Sequence, residues 1–190
     1  MMTERKKPFP IRFYAMLMIG VGFIALGVML FLLLSGSAPL PAEDEFSTVP
    51  VMVDYAAPEL NLVDMAGNNV SLRDYTGSVV LVNLWATWCP PCKEEMPALQ
   101  SFYEKHRSEG FALIGINQEE TLEIVKPFVA DFGLTFPVWL DENYMAQRMF
   151  NTMSLPSSFV IDRNGTVRLM WVGAVSDKFL EKYVTKIIKE

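Results

Sequence analysis

Apolar positions along this chain fall into two regimes, one continuous and one periodic. Residues 13–34 run 22 positions without a charge. From about residue 55 the apolar residues come in short runs separated by turn signals. Residues 60–63 and 70–72 read as strands around the turn Ala66-Gly67-Asn68-Asn69. A second turn, Asp74-Tyr75-Thr76-Gly77, precedes the strongest strand, residues 79–85, apolar on both faces as a central parallel strand should be. Pro90 and Pro91 suit a first helical turn, and Met96, Leu99, Phe102 and Tyr103 recur at three and four. Residues 90–106 therefore read as a helix, which Pro97 should kink. Strands at 111–116 and 136–140, helices at 121–132 and 143–150, a hairpin of 158–162 and 166–172 about Asn164-Gly165, and an amphipathic helix at 178–189 complete the pattern. The order β-β-β-α-β-α-β-α-β-β-α implies an α/β fold with a central mixed sheet and helices on its faces.

The continuous run has a different meaning. At about 1.5 Å per residue, a helix over 13–34 reaches roughly 33 Å, enough for the ~30 Å hydrocarbon core of a bilayer. Arg5, Lys6, Lys7 and Arg12 precede it; Glu43, Asp44 and Glu45 follow. Basic flanks stay cytoplasmic, so one transmembrane helix with its N-terminus inside is expected. A cleaved signal would have a shorter apolar core, about 7–15 residues, and its one small-x-small site, Gly36-Ser37-Ala38, is followed by Pro39. The expected organisation is a cytoplasmic basic tail (1–12), an anchor (13–34), a Ser-, Pro- and acid-rich extracytoplasmic linker (35–54), and a domain over 55–190 outside the cytoplasmic membrane.

Net charge is −6. Without Glu4 and the four basic residues before the anchor, the remainder carries 21 acidic and 12 basic residues, net −9. With no basic stripe, nucleic acid is a poor partner. The 12 methionines are scattered, as core filling is.

The only two cysteines stand in Trp88-Cys89-Pro90-Pro91-Cys92, where the strongest strand gives way to a helix. Thiols two residues apart close and reopen a small ring, and a helix N-terminus favours thiolate over thiol. Half a zinc site is the first alternative, but four ligands are usual and His106 is the single histidine. His106 falls near a helix C-terminus, where an imidazolium complements the dipole. A static staple is the second, but so short a loop gains little from closure. A peroxide-reactive cysteine in a Pro-x-x-x-Thr-x-x-Cys setting does not fit, since Thr87 stands two residues before Cys89 rather than three. No metal and no separate cofactor are expected.

The run Val82-Asn83-Leu84-Trp85-Ala86-Thr87-Trp88-Cys89-Pro90-Pro91-Cys92-Lys93-Glu94-Glu95-Met96-Pro97 resembles the active-site region of membrane-anchored thioredoxin-like proteins of the TlpA/ResA type. Leu155-Pro156-Ser157-Ser158-Phe159-Val160-Ile161-Asp162-Arg163-Asn164-Gly165 resembles their cis-proline loop and following hairpin. The resemblance spans about residues 55–190. It implies a thioredoxin-like fold with an N-terminal β-hairpin and a central insertion over 119–150. It also implies Cys89 as the exposed nucleophile, Cys92 as the resolving thiol, and Glu95 as the group influencing cysteine ionisation and proton transfer. Trp88, Pro90, Pro91, Leu155 and a cis Pro156 would face substrate. Asn83 stands where cytoplasmic thioredoxins carry a buried Asp, a departure that leaves Glu95 as the proton handler and Asn83 as hydrogen-bonded support.

A carboxylate one turn beyond Cys92 can take its proton, and it disfavours thiolate. The residues between the cysteines carry no charge. The expectation is therefore a thiol-disulfide oxidoreductase that reduces exported proteins. By resemblance, its electron donor is a CcdA- or DsbD-like membrane protein and its substrate the Cys-x-x-Cys-His site of apocytochrome c. The competing expectations are an oxidase or isomerase of exported disulfides and, from another class, a membrane-tethered binding module or metallochaperone that uses the cysteine pair.

Overall fold

The structure is a computed structural model describing residues 11–34 and 48–190. The chain divides into two units between Glu43 and Asp44. In the first, Ile11–Leu34 forms one 24-residue helix, α1. Its described side chains beyond Arg12 are residues 16–31, all exposed. Among the described residues no helix is long and apolar enough to cross a membrane. The expected span over 13–34 therefore rests on sequence. Residues 1–10 of the expected tail and 35–47 of the expected linker, with Gly36-Ser37-Ala38, lie outside the described residues.

The second unit contains β1 Val51–Ala56, β2 Asn61–Asp64, β3 Asn69–Ser71, β4 Val79–Trp85, α2 Pro90–His106, β5 Phe111–Gln118, α3 Leu122–Asp131, β6 Val138–Asp141, α4 Met145–Met149, β7 Ser157–Ile161, β8 Thr166–Val172 and α5 Asp177–Ile188. One sheet runs β1-β8-β7-β4-β5-β6-β2-β3. β4, β5 and β6 are parallel, and every other pairing is antiparallel. The expected mixed sheet and the β2–β3 hairpin are present. β1 corrects the linker expectation, because the chain enters the sheet at Val51, inside the stretch 35–54. β1 is a largely exposed edge strand, so burial imposes no alternation on its sequence.

β4 is buried along its whole length, and its period of two sorts side chains between two cores. Val79, Leu81 and Trp85 join a cluster with Met96, Leu99 and Phe102 of α2 and Leu180 and Val184 of α5. Val80, Val82 and Leu84 join the opposite cluster, with Ala146 and Phe150 at α4. Each such fully buried aliphatic side chain contributes roughly 1.5–3 kcal/mol. Asn83 breaks the apolar run, and its odd position turns it toward α2.

Candidate active site

β4 ends at Trp85, and Ala86-Thr87-Trp88 leads into Cys89, the N-cap of α2. Pro90 and Pro91 occupy the first turn, where neither can donate a backbone N–H. The Cys92 N–H is thus the first amide proton of the helix, and it donates to Cys89 Sγ at 3.3 Å. Cys89 and Cys92 are joined by a disulfide with S–S 2.08 Å. Cys92 is fully buried and Cys89 only 3% exposed. Cys89 is the slightly more accessible residue of the two, but it is far less open than an exposed nucleophile. The reason is packing: both cysteines belong to the α2-side core, against which Leu155 packs.

The buried face of α2 is Cys92, Glu95, Met96, Leu99, Phe102 and His106. Glu95 follows Cys92 by three residues, so the helical period carries a carboxyl into the apolar stripe. It is fully buried. Its place near the start of α2 does not bring it into solvent. Asn83 Nδ2 donates to Glu95 Oε1 at 2.7 Å and to Ser158 Oγ at 3.0 Å. The Val175 N–H, just before α5, donates to Glu95 Oε2 at 3.3 Å. Burial pushes the Glu95 carboxyl up to about 8, against the opposing pull of those two hydrogen bonds. Among the described residues no cation offsets that burial, so the neutral form is favoured near neutral pH.

The cis-proline loop reaches the same place through strand register. Leu84 pairs with Ser157, so Pro156 comes beside Trp85, where the chain turns toward the cysteines. The Leu155–Pro156 peptide is cis. Pro156 is buried, and half-buried Leu155 packs on both cores. Trp88 is 61% exposed, Pro90 is exposed and Pro91 half-buried. Trp88, Pro90 and Pro91 flank the two cysteines in the chain, and strand register brings Leu155 and Pro156 to the end of β4 from which that segment leads. His106 stays outside the group: it is buried at the far end of α2, with Nε2 3.3 Å from Glu181 Oε1 and Nδ1 3.4 Å from Glu109 Oε1.

Sequence reasoning missed Glu120. This buried carboxylate accepts from the Thr87 N–H and from Asn117 Nδ2, both at 2.7 Å, and from the Thr87 hydroxyl. It therefore clamps the loop two residues before Cys89. The available signal was Asn117-Gln118, two polar residues ending an otherwise apolar strand just ahead of Glu119-Glu120. Among the described residues no group of three acidic, Cys or His side chains is placed to hold a metal ion.

The AhpC/TSA family profile matches residues 53–170. Thiol-disulfide oxidoreductase ResA of Bacillus thuringiensis (strain Al Hakam) is 33% identical over 162 residues, covering 84% of this chain and 94% of the relative. ResA of Geobacillus kaustophilus is 34% identical over 137 residues, 72% of this chain and 79% of that one. Among solved structures, a thiol:disulfide interchange protein of the thioredoxin family from Chlorobium tepidum TLS superposes with TM-score 0.65 at 30% identity, over 73% of this chain and 99% of its own.

Proposed function

The chain belongs to the AhpC/TSA family and to the thioredoxin-like thiol-disulfide oxidoreductases of ResA type, and from that premise we propose that it reduces disulfides of exported proteins from a membrane anchor. The observation that carries the direction is Glu95: a carboxyl sealed in the core one helical turn from Cys92, with no cation beside it among the described residues. Strongly oxidising relatives of this chemistry stabilise the reduced form. Here no positive charge near Cys92 among the described residues favours a thiolate, Glu95 opposes one once it ionises, and Pro90 and Pro91 supply neither charge nor N–H donors.

In the reduced protein, Cys89 as thiolate attacks one sulfur of a substrate disulfide. A Cys89–substrate bond forms, the substrate S–S bond breaks, and the other substrate sulfur leaves as thiolate. Cys92 then gives its proton to the Glu95 carboxylate and attacks Cys89 Sγ. The protein disulfide forms, the mixed disulfide breaks, and two electrons have passed to substrate. A carboxyl titrating near 8 is matched to this task, because a general base works best with its pKa near the working pH. Trp88, Pro90, Pro91, Leu155 and Pro156 receive the polypeptide around the target cysteine.

The anchor rests on the 22 uncharged residues of 13–34 and their basic N-terminal flank. The catalytic unit is thereby extracytoplasmic, a CcdA- or DsbD-like protein supplies electrons, and apocytochrome c is the preferred substrate. A membrane-impermeant maleimide added to intact cells after mild reduction should label Cys89; labelling only after lysis would place the unit inside.

The deciding experiment is the reduction potential of residues 44–190 in thiol–disulfide buffers, with Trp88 fluorescence as a readout. A value of about −250 mV or lower supports a reductant, whereas about −120 to −180 mV makes the protein an oxidase or isomerase. A binding module or metallochaperone predicts instead that Cys89→Ala loses no exchange activity, because none existed.

A further inference from the structure

The turn after β8 makes three contacts through three consecutive residues. The Gly173 N–H donates to the Pro156 carbonyl at 2.9 Å. The Ala174 carbonyl accepts from the Thr48 hydroxyl at 2.9 Å. The Val175 N–H donates to Glu95 Oε2 at 3.3 Å. The last two groups belong to one peptide unit, which amide resonance keeps planar. Thr48 thus holds one end of a rigid plate whose other end touches the Glu95 carboxylate. Ala174 and Val175 are 3% and 1% exposed. Gly173 has φ +102°, and a Cβ there would come within 3.1 Å of Thr48 Oγ1. The turn is therefore built to let Thr48 approach.

We propose that Thr48 is a positioning residue for Glu95, fixing and polarising the Ala174–Val175 peptide that donates to the carboxylate. The inference rests on the proton-handling reading of Glu95 above. A hydrogen bond received by a carbonyl strengthens the N–H of the same amide as a donor. At 3.3 Å the Val175 bond is long, so its strength depends on the orientation of that N–H. A donor to the ionised form favours it, so loss of the Thr48 hydroxyl moves the Glu95 titration to higher pH.

Few other groups bear on Glu95. Asn83 faces it from β4, with Ser158 of β7 behind the amide. Cys92 lies one turn earlier on its own helix. Lys93 and Glu94 on α2, and Asp177 and Lys178 at the start of α5, are exposed. Among the described residues no charged group contributes to its shift. Thr48 stands three residues before β1, so the segment leading into the domain takes part in setting the proton acceptor.

The test follows the carboxyl carbons of 13C-labelled glutamate by NMR in the oxidised full chain in detergent micelles, comparing wild type with Glu95→Gln, Thr48→Val, Thr48→Ala and Thr48→Ser. Wild type should show one carboxyl titrating near 8 that Glu95→Gln removes. Thr48→Val and Thr48→Ala should each move it upward by about half a unit or more, as loss of a charge-favouring donor requires, and Thr48→Ser should restore it. Thr48→Ala is the smaller of the two hydroxyl deletions and stands in if Thr48→Val fails to fold. A wild-type chain without the high inflection overturns the Glu95 reading itself. An inflection unchanged in both deletions overturns the Thr48 assignment and leaves that reading standing.

Discussion

At the scale of single residues, the site depends on one carboxyl being where a carboxyl is expensive. Glu95 shares its buried stripe with Cys92, Met96 and Leu99, and an ionised carboxylate there carries a desolvation cost that, among the described residues, Asn83 and the Val175 N–H oppose. Two variants test the resolving step and the route of its proton. Cys92→Ser should leave Cys89 stranded on substrate, visible by mass spectrometry as an accumulated mixed disulfide. Glu95→Gln should slow release from that mixed disulfide by about 10²-fold, the low end of general-base contributions. It should also erase the inflection near 8 from the pH profile of the release step. A profile unchanged in Glu95→Gln would assign the proton to water. The cysteines and Glu95 were legible because helical spacing and strand–helix context act over a few residues. The grip of Asn83 on Glu95 was only half legible: strand parity gives the face of Asn83, but no local rule gives the partner 12 residues away.

Among the elements, the junctions gave the least warning in sequence. The strong runs announced β4, β5, α2 and α5 because each is bound to a core by a period of two or 3.6. β1 was read as linker because an edge strand with mostly solvent-facing side chains has no such constraint. The corner between β5 and α3 was missed for a related reason. Its chemistry lies in a turn where Glu119 takes φ +65° and Glu120 folds back onto Thr87. That clamp makes a testable statement about the active loop. In Glu120→Gln an amide NH2 replaces one acceptor and opposes the Thr87 or Asn117 donors. Breaking buried hydrogen bonds to a charged group should cost about 1–3 kcal/mol. Urea denaturation at fixed pH should show the loss as a lowered midpoint with unchanged slope. An unchanged midpoint would mean that the loop is held by its ends alone.

For the whole molecule, the same buried carboxyl ties redox chemistry to folding. In the folded oxidised protein Glu95 titrates near 8, against an ordinary value of 4.5. The folded state therefore holds a proton that the unfolded chain releases between those values. Stability from this group is complete below about pH 4.5 and is lost as pH rises through 8, at up to about 1.4 kcal/mol per pH unit. Glu181 works in the opposite sense. Its hydrogen bond from Lys105 leads the causes that hold it down to about 2, so its contribution is present above 4.5 and disappears as pH falls toward 2. Its carboxyl is 28% exposed, which leaves Glu95 as the heavier arm. In the oxidised domain neither cysteine titrates, and His106 is common to wild type and variant, so the difference between them isolates Glu95. Urea midpoints of oxidised residues 44–190 should therefore decline from about pH 5 to 8.5 in wild type. In Glu95→Gln that decline should be largely absent, and above pH 8 the variant should be the more stable protein. Parallel declines in the two proteins would place the Glu95 titration in the ordinary carboxylate range and remove the basis for its role with Cys92.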